Sequence, residues 1–319
     1  MRELIIAKND AGQRLDKFLL KKFSTMPKSM AYMYIRKKCI KINGKKVTPQ
    51  AMLNEGDILT FYIKDEFFED SNKEKNNYEF LKAPAKFKII YEDKNLLLID
   101  KKPGVIVHQD SSYHFDCLLL RAQHYLYDKG EYNPKEENSF APALVNRIDR
   151  NTGGIVIIAK NAESLRILNE KMKQRELHKL YLCLLINMPK KETALLSDYL
   201  IKDESKNKVT VLKKQIPNSK DIKTKYKVLK TENNLTLCEV ELLTGRTHQI
   251  RAHMASINCP ILGDNKYGNK KLNSSYKLNK QCLYSYKLRF DFTTDSGILN
   301  YLNGREFSTE EIWFMDYLK

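Results

Sequence analysis

Short apolar runs separated by polar turns dominate the pattern of hydrophobic and polar positions along this chain. Four such runs are rich in β-branched and aromatic side chains, as strands are, and they lie at 87–91, 154–159, 180–186 and 235–242. Two longer segments, 116–127 and 163–174, carry apolar residues at helical spacing. Because the strands are joined by turns and not by regular helical crossovers, we predict an α+β fold with a mixed, mainly antiparallel sheet.

The first 63 residues have a pattern of their own. Apolar spacing predicts one helix that begins just after Gly12 and a second over 29–36. The dipeptide Asn43-Gly44 between apolar residues predicts the turn of a short hairpin, and residues 54–57 form a second turn that leads into a strand. We therefore expect a small α+β domain at 1–63.

Residues 64–82 are polar, charged and without a period, which predicts a flexible linker. The remainder, 83–319, then forms a larger second domain that contains the predicted sheet. Its last segment, 290–319, is expected to form a closing strand and helix, with Trp313, the single tryptophan of the chain, in the core.

The chain carries a large excess of positive charge. Its 56 Lys and Arg against 39 Asp and Glu give a formal net charge of +17 and a sequence pI near 9.4. Such an excess supplies the salt-sensitive, sequence-independent part of nucleic-acid affinity, so a polyanion is the predicted partner. A lysine-rich proteome would give the same balance without any nucleic acid, and charge alone leaves that alternative open.

The N-terminal segment concentrates this charge. Residues 1–63 hold 13 Lys and Arg against 5 Asp and Glu, a net charge of +8 in about a fifth of the chain. A solvated helix face explains scattered lysines, but explains less well a cluster at a helix-to-hairpin junction. We predict phosphate contacts from the basic residues in and around this junction, namely Arg14, Arg36, Lys37, Lys38, Lys41 and Lys45.

Other classes of protein find little support in the sequence. No run approaches the ~18 apolar residues that a membrane-spanning helix needs, and the N-terminal apolar stretch is too short for a secretory signal, so we expect a cytoplasmic location. The six cysteines form no Cys-x-x-Cys pair. His248, His253 and Cys259 have no fourth ligand near them in sequence, and no metal is expected.

The segment from Asn146 to Gly154 holds the most informative residue. Its sequence, Asn-Arg-Ile-Asp-Arg-Asn-Thr-Gly-Gly, places Asp149 between two arginines in a turn before a buried apolar run. Neighbouring Arg147 and Arg150 would favour an ionised carboxylate, and such a carboxylate can attack an electrophilic carbon, as in covalent glycosyl transfer. On charge pattern alone, a surface salt bridge explains the same residues.

This segment resembles the His-Arg-Leu-Asp-Arg-Asp-Thr-Ser-Gly signature of the RluA-type pseudouridine synthases, with Asn146 and Gly153 in place of the usual His and Ser. Three further segments resemble the same family in the right order. They are Lys102-Pro-Gly-Val-Ile-Val-His108, His178-Lys-Leu-Tyr181 and Gly245-Arg-Thr-His-Gln-Ile-Arg251, and the last matches without a mismatch. Together the resemblance covers roughly residues 85–290, while the pattern of 1–63 resembles a small RNA-binding domain first known from a ribosomal protein.

The resemblance implies a reaction and a set of site residues. An RNA uridine would be detached from its ribose and rejoined through carbon 5, which needs no redox or group-carrying cofactor. Asp149 would be the nucleophile, Tyr181 would stack on the base and handle a proton, and Arg251 would pair with the catalytic aspartate. Substrate contacts are expected from basic and polar residues of the segments 146–154 and 245–251, namely Arg147, Arg150, Arg246, His248 and Gln249.

Ribosomal RNA of the large subunit is the substrate that the resemblance favours, with transfer RNA as the second choice, and we expect a monomer. An RNA-binding protein without catalysis remains an alternative, but it predicts the loss of Asp149, Tyr181 or Arg251, and all three are present. A nucleoside glycosidase would need a second carboxylate at the scissile bond, and none accompanies the motifs.

Overall fold

The protein is described by a computed structural model that covers residues 1–68, 78–109 and 116–318. The chain forms two compact units. The first consists of residues 1–86, 110–143 and 159–166, and the second of residues 87–109, 144–158 and 167–319.

The first unit begins with a small sheet and two helices. Four antiparallel strands in the order β1-β4-β2-β3 pack on the helices; the elements are β1 (Arg2–Ile5), α1 (Leu15–Lys22), α2 (Lys28–Arg36), β2 (Ile40–Ile42), β3 (Lys45–Lys46) and β4 (Ile58–Phe61). The predicted hairpin is confirmed, since Asn43 and Gly44 join β2 to β3 with φ angles of 51° and 72°. Two positive φ angles are what a type I′ turn requires, which explains the Asn-Gly pair.

Residues distant in sequence complete this unit. Asp10 accepts hydrogen bonds from Asn138 at 2.7 Å and from the Ser139 hydroxyl at 2.6 Å, and Arg166 donates to the carbonyl of Ala11 at 2.9 Å. Both ends of the predicted linker pack against the unit, because Phe67 and Phe80 are buried. The middle of that linker, residues 69–77, lies outside the described residues. Helix α3 (Leu118–Asp128) also belongs here.

The second unit is built on a large sheet. Nine of its strands follow the order β11-β10-β12-β13-β9-β14-β8-β6-β5, and β15 pairs with β14. Most pairings are antiparallel, with β14 and β8 parallel, so the predicted mixed, mainly antiparallel α+β fold is confirmed. The remaining strands of the chain are β5 (Lys88–Glu92), β6 (Leu96–Lys101), β7 (Ala143–Leu144), β8 (Gly153–Ala159), β9 (Leu177–Ile186), β10 (Thr193–Asp203), β11 (Lys208–Leu212), β12 (Lys220–Glu232), β13 (Leu235–Leu242), β14 (Leu283–Phe290) and β15 (Glu306–Ser308).

The remaining α-helices are α4 (Ala162–Gln174), α5 (Gln249–Ser256) and α6 (Lys270–Ser275). Helix α5 begins inside the third motif, at Gln249, and packs against β11 and β12. Its Ile250 and Met254 belong to the same apolar core as buried residues of β9, β13 and β14. The tail forms the predicted closing strand, β15, but its helical parts are the short 3₁₀ helices Gly297–Leu302 and Met315–Leu318 and not a closing α-helix. Trp313 packs at the edge of the same core.

Candidate active site

Asp149 lies in the loop that precedes β8. The backbone N–H of Thr152 donates to the carbonyl of Asp149 at 3.0 Å, which closes a tight turn. Upstream, the amide of Asn146 accepts from the N–H of Ile157 at 2.8 Å and donates to the carbonyl of Ile155 at 3.2 Å. The side chain thus bonds to the strand as a backbone would, and it fixes the start of the loop against β8.

Gly153 and Gly154 let β8 approach β14 closely. A Cβ built on Gly153 would overlap the ring of Tyr284, and one on Gly154, whose φ is +110°, would overlap the backbone of Ser285. The hydroxyl of Tyr284 donates to Asp100 at 2.7 Å, so the ring is held in place. The tyrosine therefore occupies the space that the usual serine side chain would need, which accounts for Gly153.

Arg251, on the first turn of α5, contacts Asp149 directly. Its guanidinium donates to Asp149 Oδ2 at 2.8 Å and, through two other nitrogens, to both oxygens of Asp264 at 2.7 and 3.0 Å. Burial alone would raise the pKa of Asp264, but the hydrogen bonds and charge of Arg251 hold it below its usual value. Burial opposes the charge of Arg251 too, yet the two carboxylates raise its pKa.

His248 lies beside this pair in the left-handed conformation, with a φ of 54°. Its Nε2 is 3.9 Å from Asp149 Oδ2, and its Nδ1 is 3.0 Å from the hydroxyl of Tyr267. That hydroxyl also accepts from the N–H of Val209 at 2.9 Å. Burial lowers the pKa of His248 although the charge of Asp149 opposes this, so the ring is neutral at pH 7.

Tyr181 is buried on β9 near the same carboxylate. Burial raises its pKa to about 12, a hydrogen bond from Ser285 opposes the shift, and the charge of Asp149 adds to it. The two groups therefore lie within electrostatic range of each other. At pH 7 the side chain is a neutral phenol.

Lys101, at the end of β6, connects a second turn to the loop that carries Asp149. Its ammonium donates to the carbonyls of Val105 at 2.8 Å and of Arg150 at 2.9 Å. Burial lowers the pKa of Lys101 to about 7, which the charge of Asp149 opposes. Gly104 completes the link, because its N–H also donates to the Arg150 carbonyl, at 2.8 Å.

The predicted substrate contacts occupy different positions. Arg147, Arg150 and Arg246 are exposed. Gln249 is buried, and its amide bonds to Thr224, to the carbonyl of Lys223 and to the N–H of Arg246. Its side chain is thus occupied in shaping the loop before α5, so any effect on substrate would be indirect.

The predicted RNA contacts of the first unit are mostly exposed. Arg36, Lys37, Lys38 and Lys45 have exposed side chains. Arg14 instead pairs with Asp16 at 2.7 Å. The sixth, Lys41, lies over the ring of Tyr62, 5.3 Å from its centroid.

Sequence reasoning missed four residues of the site. Asp264 and Tyr267 belong to the segment Pro260–Gly268 that continues the third motif, and Lys101 directly precedes the upstream motif. An acid in a segment that continues a family motif was the available signal for Asp264. Ser285 carried none, because its contact with Tyr181 arises from the pairing of β14 with β9.

Comparison with known proteins adds to this geometry. Residues 95–256 match the family described as RNA pseudouridylate synthase, and residues 13–59 match the S4 domain. A protein of Mycoplasma capricolum subsp. capricolum, named an uncharacterized RNA pseudouridine synthase, is 32% identical over 98% of this chain and 99% of its own.

The chain belongs to the RNA pseudouridylate synthase family. Members of this family are RNA isomerases, as the sequence motifs predicted. Proteins named ribosomal large subunit pseudouridine synthase C are similar as well. That of Vibrio vulnificus is 32% identical over 88% of this chain and 85% of its own, and that of Buchnera aphidicola subsp. Acyrthosiphon pisum is 33% identical over 90% and 88%.

Two solved structures share the fold. Human RNA Pseudouridylate Synthase Domain Containing 1 has a TM-score of 0.56 at 19% identity and covers 74% of this chain and 87% of its own. Human RNA Pseudouridylate Synthase Domain Containing 4 has a TM-score of 0.55 at 20% identity and covers 70% and 87%. The site geometry thus lies on the fold of the family.

Among the described residues, no group of three or more His, Cys, Asp or Glu side chains is arranged to hold a metal ion. None of their helices has the length and apolar character that crossing a membrane requires.

Proposed function

We propose that this enzyme converts uridines of large-subunit ribosomal RNA to pseudouridine, with Asp149 as the nucleophile. The hydrogen bond of 2.8 Å between Arg251 and Asp149 carries the proposal, because it joins two motifs that are 102 residues apart in sequence. The names of the Vibrio and Buchnera relatives support ribosomal RNA as the substrate.

The reaction is an isomerisation, so its atoms balance within the substrate. The bond from C1′ of the ribose to N1 of uracil breaks, and a bond from C1′ to C5 forms. The proton on C5 leaves, and N1 regains one. No oxidant, reductant or group donor is consumed, and none is proposed.

Asp149 is suited to attack because Arg251 holds one of its oxygens while the side chain remains a quarter exposed. The attack takes place on the ribose or on the pyrimidine ring, and both routes need the carboxylate anionic and close to the base. Arg251 orients the carboxylate, and the neutral imidazole of His248 is a second polar group beside it.

Tyr181 acts as a neutral phenol in this scheme. Its ring packs against the extruded uracil, and stacking of this kind offsets the cost of removing a base from its RNA stack. Its hydroxyl relays the C5 proton, taking it up as it gives its own proton to a neighbouring acceptor, since burial disfavours a stable phenolate.

Substrate affinity is proposed to come from positive charge. Arg147, Arg150 and Arg246 contact the strand near the target, and the exposed basic residues of 1–63 contact more distant phosphates. We also propose that the protein acts as a cytoplasmic monomer without a metal. The domain boundaries 1–63, 64–82 and 83–319 remain a prediction, with 83–319 as the catalytic domain.

The test is pseudouridine mapping by carbodiimide modification and primer extension. Ribosomal and transfer RNA would be taken from the native host with the gene deleted, then restored as wild type, as Asp149→Asn, or as Asp128→Asn, an exposed aspartate of α3. We expect ribosomal sites that are lost on deletion and return with wild type and Asp128→Asn only.

Three outcomes would change the proposal. Sites restored by Asp149→Asn would remove the nucleophile assignment. Changes confined to transfer RNA would replace the substrate. Unchanged sites in both RNAs, with RNA affinity retained by the purified protein, would favour an RNA-binding protein without catalysis.

A further inference from the structure

A cavity of about 480 Å³ lies in the second unit. Its wall includes the side chains of Lys102, Lys280, Tyr284 and Trp313, and we call it the lysine–tryptophan cavity. None of these four residues belongs to the proposed catalytic group.

The backbone turn that begins at Lys102 connects the cavity wall to the loop that carries Asp149. Lys102 precedes Gly104, and Gly104 N–H bonds to the carbonyl of Arg150, next to Asp149. A Cβ built on Gly104 would lie 3.7 Å from Nζ of Lys280. The charges of Lys280 and of Asp149 both act on the ammonium of Lys101, so Lys280 and the nucleophile lie near the same buried group.

The polar groups of the wall are unevenly paired. Asp100 accepts from Tyr284 and from the Thr309 hydroxyl at 2.7 and 2.8 Å, and Lys88 pairs with Glu311 at 2.9 Å. Lys102 and Lys280 are exposed and make no ion pair with any described residue. The charge of Lys102 acts on Glu311, which also lines the cavity, but neither Lys102 nor Lys280 is held in an ion pair with a described residue, so both ammonium groups can turn towards an anion.

The aromatic side of the cavity contains one hydrogen-bond donor without a partner among the described residues. The indole N–H of Trp313 is buried and has no acceptor among the residues that the structure describes. Bases stack on aromatic side chains whatever their sequence, and lysines beside them hold the phosphates. A cavity of about 480 Å³ with one indole and two lysine side chains in its wall fits this form of recognition.

We propose that the lysine–tryptophan cavity binds a nucleotide that flanks the target uridine in the substrate strand. This inference rests on the proposed function, because it needs the target uridine at Asp149. The flanking base would pack on Trp313, and its phosphate would lie at Lys102 and Lys280. The cavity would then fix which nucleotide next to the target the enzyme accepts.

The single tryptophan makes a direct experiment available. Full-length Asp149→Asn protein would be titrated with a ribosomal RNA hairpin that carries a mapped target uridine, while tryptophan fluorescence and RNA anisotropy are recorded together. We expect Trp313 emission to be quenched with the same Kd as the anisotropy change. An abasic nucleotide at one flanking position, tested on the 5′ and then the 3′ side, should abolish the quench.

Activity assays give an independent reading. Lys102→Ala and Lys280→Ala should raise KM and leave kcat unchanged, and each should lower the slope of log affinity against log salt by about 0.7. Lys173→Ala, an exposed lysine of α4, is the matched control and should change neither. Trp313→Phe keeps a ring and should retain KM, whereas Trp313→Leu should raise it.

Four results would overturn the inference. RNA that binds without changing Trp313 emission would leave the cavity empty in the complex. Quenching that survives both abasic substitutions would place the signal elsewhere. Uridine monophosphate or adenosine monophosphate that quenches alone without competing with the hairpin would make this a free-nucleotide site. Wild-type KM in both lysine variants would exclude the phosphate contact. If wild-type protein forms pseudouridine in each case, the proposed function stands.

Discussion

Burial fixes the protonation of Tyr181, and this restricts what the residue can do. With a pKa raised to about 12, the side chain keeps its proton at neutral pH. A role as a phenolate base is therefore disfavoured, and base stacking and proton relay through the hydroxyl remain. The two contributions can be separated by removing the oxygen alone.

We expect Tyr181→Phe to bind RNA with near-wild-type affinity and to lose most of its turnover, because the ring stays and the hydroxyl goes. Single-turnover kinetics on a ribosomal RNA fragment, with Kd from anisotropy, measure both quantities. Tyr199→Phe, on β10, is the control. Full turnover in Tyr181→Phe would limit the residue to packing.

Lys101 should make folding stability depend on pH. Its pKa is about 7 in the folded chain, against an ordinary value of 10.5. Between those values the unfolded chain holds a proton that the folded chain has lost, so stability rises with pH in this window, by at most about 1.4 kcal/mol per pH unit.

Lys101→Met removes this contribution. The free energy of unfolding of wild type relative to the variant should therefore increase between about pH 7 and pH 9, as urea titrations at several pH values would measure. Lys173→Met, at an exposed position, should show no such trend. A difference that stays constant with pH would contradict the buried, titrating ammonium.

At the residue scale, the sequence identified Asp149, Tyr181 and Arg251 as candidates because each lies in a contiguous motif. The partners escaped prediction for a physical reason. Asp264 and Tyr267 act through burial and through side-chain contacts with residues outside their own motif segment, and a single sequence records neither. Gln249 shows the converse, since a polar residue in a motif proved to be buried and bonded to the loop around it.

At the element scale, the start of β8 depends on how closely two strands approach. The ring of Tyr284 occupies the space beside Gly153, and the hydroxyl of that ring is bonded to Asp100. The residue that the family signature usually has at this position is therefore unsuited to this chain. The residue at position 153 therefore has to be small enough for the ring of Tyr284 on the neighbouring strand.

Gly153→Ser should consequently destabilise the protein by about 1–3 kcal/mol, the typical cost of overpacking a core. Urea denaturation measures the change. Gly245→Ser is the matched control, because a Cβ there meets no atom within 4 Å, and we expect little effect. Equal stability of the two variants would mean that Tyr284 moves aside at low cost.

Elements with strong local signals were predicted from sequence, and others were not. The hairpin at Asn43-Gly44 and the continuous apolar strands β8, β9 and β13 carry their own pattern. Strands β10 to β12 carry lysines among their apolar residues and are separated by polar turns. Their sequences therefore give little local signal, and their pairing is seen only in the sheet. Helix α5 begins inside the third motif without a capping side chain, so the sequence lacks the usual signal for a helix start.

At the scale of the whole molecule, positive charge is the property that the sequence predicts best. Lys37, Lys38 and Lys45 are exposed in the first unit. Contacts between such lysines and phosphates release counterions, and each contact contributes about 0.7–0.9 to the slope of log affinity against log salt.

The triple variant Lys37→Ala, Lys38→Ala, Lys45→Ala should lower this slope by about two to three if all three side chains contact RNA. Affinity measured across a range of salt concentrations tests it. A triple alanine variant at the exposed Lys190, Lys191 and Lys214 is the comparison. An unchanged slope in the first variant would remove these lysines from the RNA contacts.

Division of the chain into units was harder to predict. A sequence is read as continuous segments, whereas the first unit gathers residues 1–86 with 110–143 and 159–166. Hydrogen bonds such as Asp10 to Asn138 and Ser139 connect these segments. No local pattern in either partner indicates a contact across more than a hundred residues.

The guanidinium of Arg251 lies between two carboxylates, and this has a consequence for the catalytic cycle. In the proposed mechanism, a covalent bond from Asp149 to the substrate would take the negative charge from this carboxylate and pass it to the uracil. Asp264 is fully buried and makes two hydrogen bonds to Arg251, so it can neutralise this cation without Asp149. The guanidinium would therefore keep a carboxylate partner while Asp149 is bonded to the substrate.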